Sequence, residues 1–232
     1  MDALLSFAAA LIAFRLAGDL ARKRELVWAA GLFAYAVASA ALAWGSAHGW
    51  DEPSFRVYYL AGGLLTAPLL GCGSLLLAGR RWAGPVALAY AGLATGIAIA
   101  TPVHGRLAGT SVPVAQDHLD WLPRIVAIAG NSLGTFAVVA VALLTIRRRP
   151  LRNGFLLAGI AVAAVGSGLT GTGVTASALF AAIASALLYV GVAGVPRLGL
   201  SREYQATTRS ANSSSTDSDS SSRNALTRTS PR

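Results

Sequence analysis

The chain holds one cysteine, one lysine and three histidines, and each scarcity removes a class of chemistry. Cys72 has no second thiol, which excludes an intrachain disulfide and a cysteine-based metal site and leaves packing as its expected role. Lys23 lies beside Arg22 and Arg24, outside any apolar run, so no span carries the amine that a retinal Schiff base requires. His48, His104 and His118 all fall between apolar runs, where they cannot serve as axial ligands of an intramembrane haem. No acidic residue sits near the centre of an apolar run, so the buried carboxylate usual in ion-coupled pumps is missing. Charged residues make up 12% of the chain, against about a quarter in a soluble domain.

What the sequence does have is apolar length. Hydrophobic residues make up 54% and the mean hydropathy is +0.57. The apolar residues arrive in runs longer than a soluble core helix needs, while the short alternating segments of a β-barrel are absent. The expected class is therefore all-α, a polytopic transmembrane bundle. Its organising stretch is Arg147-Arg148-Arg149-Pro150-Leu151-Arg152, a cluster of cations that insertion leaves on the cytoplasmic side. From it seven spans take their direction, at about 3–21, 27–46, 57–78, 83–101, 122–146, 155–171 and 174–195. Nine Lys or Arg residues fall in the three loops assigned inside, and only Arg56, Arg106 and Arg124 fall outside. The expected topology has the N-terminus outside and the C-terminus in the cytoplasm.

The net charge of +9 follows the same loops and the tail, a distribution that fits anionic lipid headgroups and not a nucleic-acid groove. Met1-Asp2 places no basic residue before the first run, so that run is expected to remain as a span. The domain boundary is expected near residue 197. Residues 198–232 form a tail whose last 32 positions include ten serines and five threonines, a composition that cannot build a core and predicts disorder.

Local features add detail. Asp19 follows Arg15 by one helical turn, which predicts a snorkelling ion pair near the cytoplasmic end. Pro68 in the third run removes a backbone donor and predicts a kink. Gly92 with Gly96 and Gly130 with Gly134 are two GxxxG pairs, both suited to close helix packing and to association with a second copy. The stretch Gly166–Gly173 separates the last two runs without a charge and reads as a tight hairpin or an unwound segment. Aligning residue 30 with 158 pairs Ala30 with Ala158, Gly31 with Gly159, Ala36 with Ala164, Val37 with Val165, Ser39 with Ser167 and Gly45 with Gly173. Such a repeat suits a transporter plan with a site between two halves.

Polar groups at membrane depth are few. Asn131, Ser132 and Thr135 lie on nearby turns of the fifth run, and a buried amide of this kind either bonds across helices or touches a ligand. The sharper expectation places Tyr59, Asn131, Ser132, Thr135, Gly168, Thr170 and Gly171 around a polar pocket, with unwound glycine backbone offering carbonyls to a solute or ion. In the outer loops His104, Asp117, His118 and Asp120 have the chemistry of divalent-metal ligands, but without the spacing of a known fingerprint, and solvated loop polarity is the leading account of them. No cofactor is expected. Paired carboxylates, a Ser/His pair and a metal motif within reach of the headgroups are all missing, which ranks enzymatic function behind small-solute or ion transport and behind a membrane scaffold or sensor.

The run Phe55-Arg56-Val57-Tyr58-Tyr59-Leu60-Ala61-Gly62, with Gly71-Cys72-Gly73-Ser74-Leu75 and Leu122-Pro123-Arg124, resembles a group of seven-helix integral membrane proteins of high-GC bacteria whose function is uncharacterised. The resemblance covers residues 1 to about 197 and implies a bacterial plasma membrane and no particular activity.

Overall fold

The computed structural model describes residues 2–107, 109–145, 151, 154, 155, 157–159, 162, 183 and 187. Among these the chain is helical and contains no strand. Helix α1 is Asp2–Arg22 and α2 is Leu26–His48. The third span is interrupted: α3, Glu52–Tyr58, leads into a π-helical segment, Tyr59–Leu65, and then α4, Thr66–Leu77. Helices α5, Ala83–Ala100, α6, Ala115–His118, and α7, Trp121–Thr145, follow. Among the described residues five helical stretches are long and apolar enough to cross a membrane: Ala3–Arg22, Leu26–His48, Glu52–Leu77, Ala83–Ala100 and Trp121–Thr145. The last two expected spans, the arginine cluster at 147–152 and the tail lie outside the described residues apart from the isolated helical positions named above.

The third span is the hub. Through Ala61 it packs on Ala34 and Ala38 of α2, and through Leu64 it packs on Ala94 of α5 and Ala127 of α7. Leu70 reaches the α1–α2 contact made by Leu16, Leu20, Trp28 and Leu32. Alanine dominates these seams because in lipid association rests on close van der Waals approach, which small side chains permit. The closest approach is between α4 and α7. A Cβ on Gly71 would come within 2.6 Å of Gly134 Cα, and one on Gly134 would collide with the Ala67 carbonyl and lie 2.7 Å from Pro68 N. Gly134 belongs to one GxxxG pair; the other behaves otherwise, since a Cβ on Gly92 or Gly96 would meet nothing within 4 Å. Identical motifs thus have different roles, decided by what lies opposite.

The third span begins at Glu52, five residues before the expected Val57, because Asp51 caps it. Asp51 Oδ1 accepts from Ser54 N at 3.0 Å while Asp51 N donates to Ser54 Oγ at 3.2 Å, a reciprocal capping box with Pro53 in the first turn. The Ser54 hydroxyl and its backbone N–H hold the Asp51 carboxyl below its ordinary value of 3.8. The expected Arg15–Asp19 pair is also corrected, since Asp19 Oδ1 instead takes Arg22 Nη1 at 3.3 Å.

The described residues of 101–107 and 109–120 fold into a cap over one end of the third span. Trp50, Phe55 and Leu119 are its buried centre. Trp50 N donates to Gly109 O at 3.1 Å and His104 N to His118 O at 2.8 Å, tying the loop to itself and to the start of α3. Gly105 and Gly109 have φ of 75° and 87°, a turn geometry that glycine adopts at no steric cost.

Two outcomes test this packing. Gly134→Ala lowers thermal stability in detergent, by about 1–3 kcal/mol as for overpacking against an immovable backbone, while Gly96→Ala leaves the melting temperature unchanged or higher; equal losses would show that the α4–α7 approach is not specific. Asp51→Ala destabilises at neutral pH, and because the folded carboxyl titrates below 3.8 its gap from the parent protein closes as pH falls through that lowered value; a gap constant down to strong acid would remove the cap.

Candidate functional site

The break in the third span starts from proline chemistry. Pro68 has no N–H, and its ring crowds the carbonyl four residues earlier, that of Leu64. In an apolar environment no water can satisfy a freed carbonyl, so the backbone must find another arrangement. The turns before Pro68 widen from i→i+4 to i→i+5 over Tyr59–Leu65, with the N–H of Thr66 donating to Ala61 O. Thr66 Oγ1 donates to the same carbonyl at 2.7 Å. In this wider register the donor facing the Gly63 carbonyl would be Pro68, which has none to offer.

Asn131 of α7 supplies it. Its Nδ2 donates to Gly63 O at 2.9 Å across the helix interface. The other end of the amide, Oδ1, is buried and has no hydrogen-bond partner among the described residues. Tyr90 of α5 reaches the same seam from the opposite side, its hydroxyl donating weakly to Val126 O at 3.4 Å. Nearer the cap, Tyr59 OH donates to Pro123 O at 3.3 Å. Three helices therefore converge on the π segment; the groups around Asn131 are neutral, while Arg124 of α7 lies close enough to Tyr59 to act on it electrostatically.

Arg56 closes the capped end of the site. Its Nη1 donates to Ala98 O at 2.7 Å and Thr101 O at 2.8 Å, two carbonyls at the C-terminal end of α5 that lack helical donors. Its Nε and Nη2 donate to Glu52 Oε1 at 2.9 and 2.8 Å. The guanidinium thus holds α3 to α5, a role that its position before an apolar run had disguised as a topological marker. A narrow cleft lies between Phe55, Arg56, Tyr59, Ala98, Thr101, Leu119 and Pro123, with a volume of about 10 Å³, room for about one water.

No family model matches this chain, and no curated protein and no solved structure is significantly similar to it. The geometry alone must carry the reading.

Of the residues expected to line a polar pocket, Tyr59 and Asn131 meet the same seam between the π segment and α7. Thr135 is half-buried one turn beyond, and Ser132 is exposed on another face of α7. Gly168, Thr170 and Gly171 lie outside the described residues. Among the candidate metal ligands, His104 Nε2 and Asp120 Oδ1 are 3.1 Å apart, whereas His118 Nδ1 donates to the His104 carbonyl at 2.8 Å and its ring packs edge-on against Phe55. Asp117 is exposed on α6, and among the described residues no group of three His, Cys, Asp or Glu side chains is placed to share an ion. Sequence reasoning missed the carbonyl of Gly63 as the partner of Asn131. Counting five residues back from Pro68 would have found it, had the π register been considered.

Asn131→Ala leaves the Gly63 carbonyl without its donor, so a stability loss of about 1 kcal/mol is expected, while Asn212→Ala in the tail has no effect. Thermal unfolding of both variants in the same detergent checks this, and matching melting temperatures would mean that the amide bond contributes nothing.

Proposed function

We propose that the chain is a multi-pass membrane protein that binds, and passes across the bilayer, a small cation or a neutral hydrogen-bonding solute at the π segment of its third span. The observation that carries this reading is the Asn131 amide, whose Nδ2 is committed to Gly63 O while its buried Oδ1 remains without a partner among the described residues. A buried acceptor without a donor is unfavourable by about 1–3 kcal/mol, and a bound cation or donor would relieve it. The groups nearest Asn131 are carbonyls, a threonine hydroxyl and tyrosine hydroxyls, so a monovalent cation or an uncharged donor fits better than a divalent ion, and Arg56 and Arg124 at the Tyr59 end favour the uncharged donor. The π segment widens a continuous helix near the middle of the span and its freed Gly63 carbonyl is already taken, so the atom left open to a solute is the amide oxygen of Asn131.

The remaining features belong to the same proposal. Seven spans, with the N-terminus outside and the C-terminus in the cytoplasm, are supported by nine basic residues in the loops on one side against three on the other. A bacterial plasma membrane is what the resemblance around Phe55–Gly62 implies. A second reading, a non-transporting scaffold or sensor, is favoured by the tight Gly71–Gly134 contact and by a cleft holding no more than about one water.

Reconstitution separates them. Purified protein is tested in proteoliposomes for currents on jumps of sodium or potassium chloride against choline chloride, and in detergent for thermal shifts with the same salts and a panel of amides and polyols. The transport reading expects a salt- or solute-specific rise in melting temperature that Asn131→Ala abolishes, together with currents or uptake. A protein that responds to none of these probes would leave the scaffold reading.

A further inference from the structure

Helix α1 contacts the rest of the described chain along one side only, and its outward side has an ordered polarity. Leu4, Phe7, Leu11 and Phe14 are each more than half exposed, at 71%, 53%, 55% and 60%. They recur every three or four residues, so they share a face, and the same spacing continues through Arg15, Gly18 and Arg22. The face is therefore apolar for about three turns and cationic for the last two. Gly18 separates the two arginines with an open gap, since a Cβ there would meet nothing within 4 Å.

The charges on this face are incompletely matched. Asp19 gives its carboxylate to Arg22, whose side chain is still 84% exposed, and Arg15 has no ion-pair partner among the described residues. Arg15 and Arg22 are seven positions apart, about 10 Å along the helix. An exposed guanidinium that far up a lipid-facing helix is unfavourable unless it snorkels or meets an anion. Lys23 and Arg24 add positive charge at the helix end and Glu25 a negative one, so the local field still favours an anion.

We propose that this face binds an anionic phospholipid, its phosphate held between Arg15 and Arg22 over Gly18 and an acyl chain lying along Leu11 and Phe7. The order of polarity along α1 matches that of the amphiphile. A second copy of the chain fits less well, because a two-fold contact through this face would set Arg15 beside its own image in a low-dielectric environment.

Native mass spectrometry of the full-length protein in neutral detergent, titrated with phosphatidylglycerol or phosphatidylcholine, tests the assignment. The parent protein retains phosphatidylglycerol in preference to phosphatidylcholine. Arg15→Gln weakens phosphatidylglycerol retention about fivefold, the worth of one cation near an anionic headgroup, Arg15→Lys keeps it, and the double variant Arg80→Gln/Arg81→Gln leaves it unchanged. Unaltered retention by Arg15→Gln would overturn the proposal, as would an equal loss in the Arg80/Arg81 variant, which would make the attraction a diffuse property of all basic loops. So would displacement of the lipid by millimolar inorganic phosphate, which would leave the apolar stripe no part, or dimeric masses that Arg15→Gln abolishes, which would assign the face to a second copy.

Discussion

A missing backbone donor in an apolar environment shapes the centre of this molecule. Water would satisfy a freed carbonyl in a soluble helix, but between packed helices the chain must supply every partner itself. Pro68 withholds one N–H, the preceding turns widen into a π segment, and the amide of Asn131 bridges to Gly63 O from another helix. The price of this arrangement is an acceptor, Asn131 Oδ1, with nothing opposite it among the described residues. Structure and proposed function meet at that atom.

The same span is also the one that most neighbours touch, and its contacts explain why. Its faces are lined by alanine and glycine, with Gly71 set against Gly134 and Ala61 against Ala34 and Ala38. Backbones brought this close place polar groups of one helix within reach of another, so a single side chain can repair a fault in its neighbour's ladder. Above this seam Arg56 serves two α5 carbonyls, Ala98 O and Thr101 O, and the cap built on Trp50, Phe55 and Leu119 covers the end of the span. Fixing the break from both sides gives the π segment a defined geometry.

Much of the fold was legible because an apolar run of bilayer length has few alternatives. The first five expected spans coincide with helices to within a few residues at most ends. The exception, the start of the third span, lay in polar residues that read as loop; Asp51, Pro53 and Ser54 are nonetheless a helix-start signature, and their reciprocal bonds extend the helix to Glu52. The candidate site was legible in part. Asn131 and Tyr59 stood out as polar groups in apolar surroundings, but the Arg15–Asp19 spacing misled, because Asp19 lies equally within reach of Arg22 one turn later. Helical spacing shows which residues share a face and leaves open which of two neighbours wins.

By itself the sequence determined the helical class, the positions of its first spans and the place where one of them had to break, since those depend on local composition, run length and the missing N–H of a single proline. Tertiary structure alone decided that Asn131 would answer that break, that Gly134 would meet a backbone while Gly96 meets open space, and that Arg56 would cap a helix 42 residues away. The physical reason is that a hydrogen bond or a close contact needs two partners in space, and a linear pattern names only one of them.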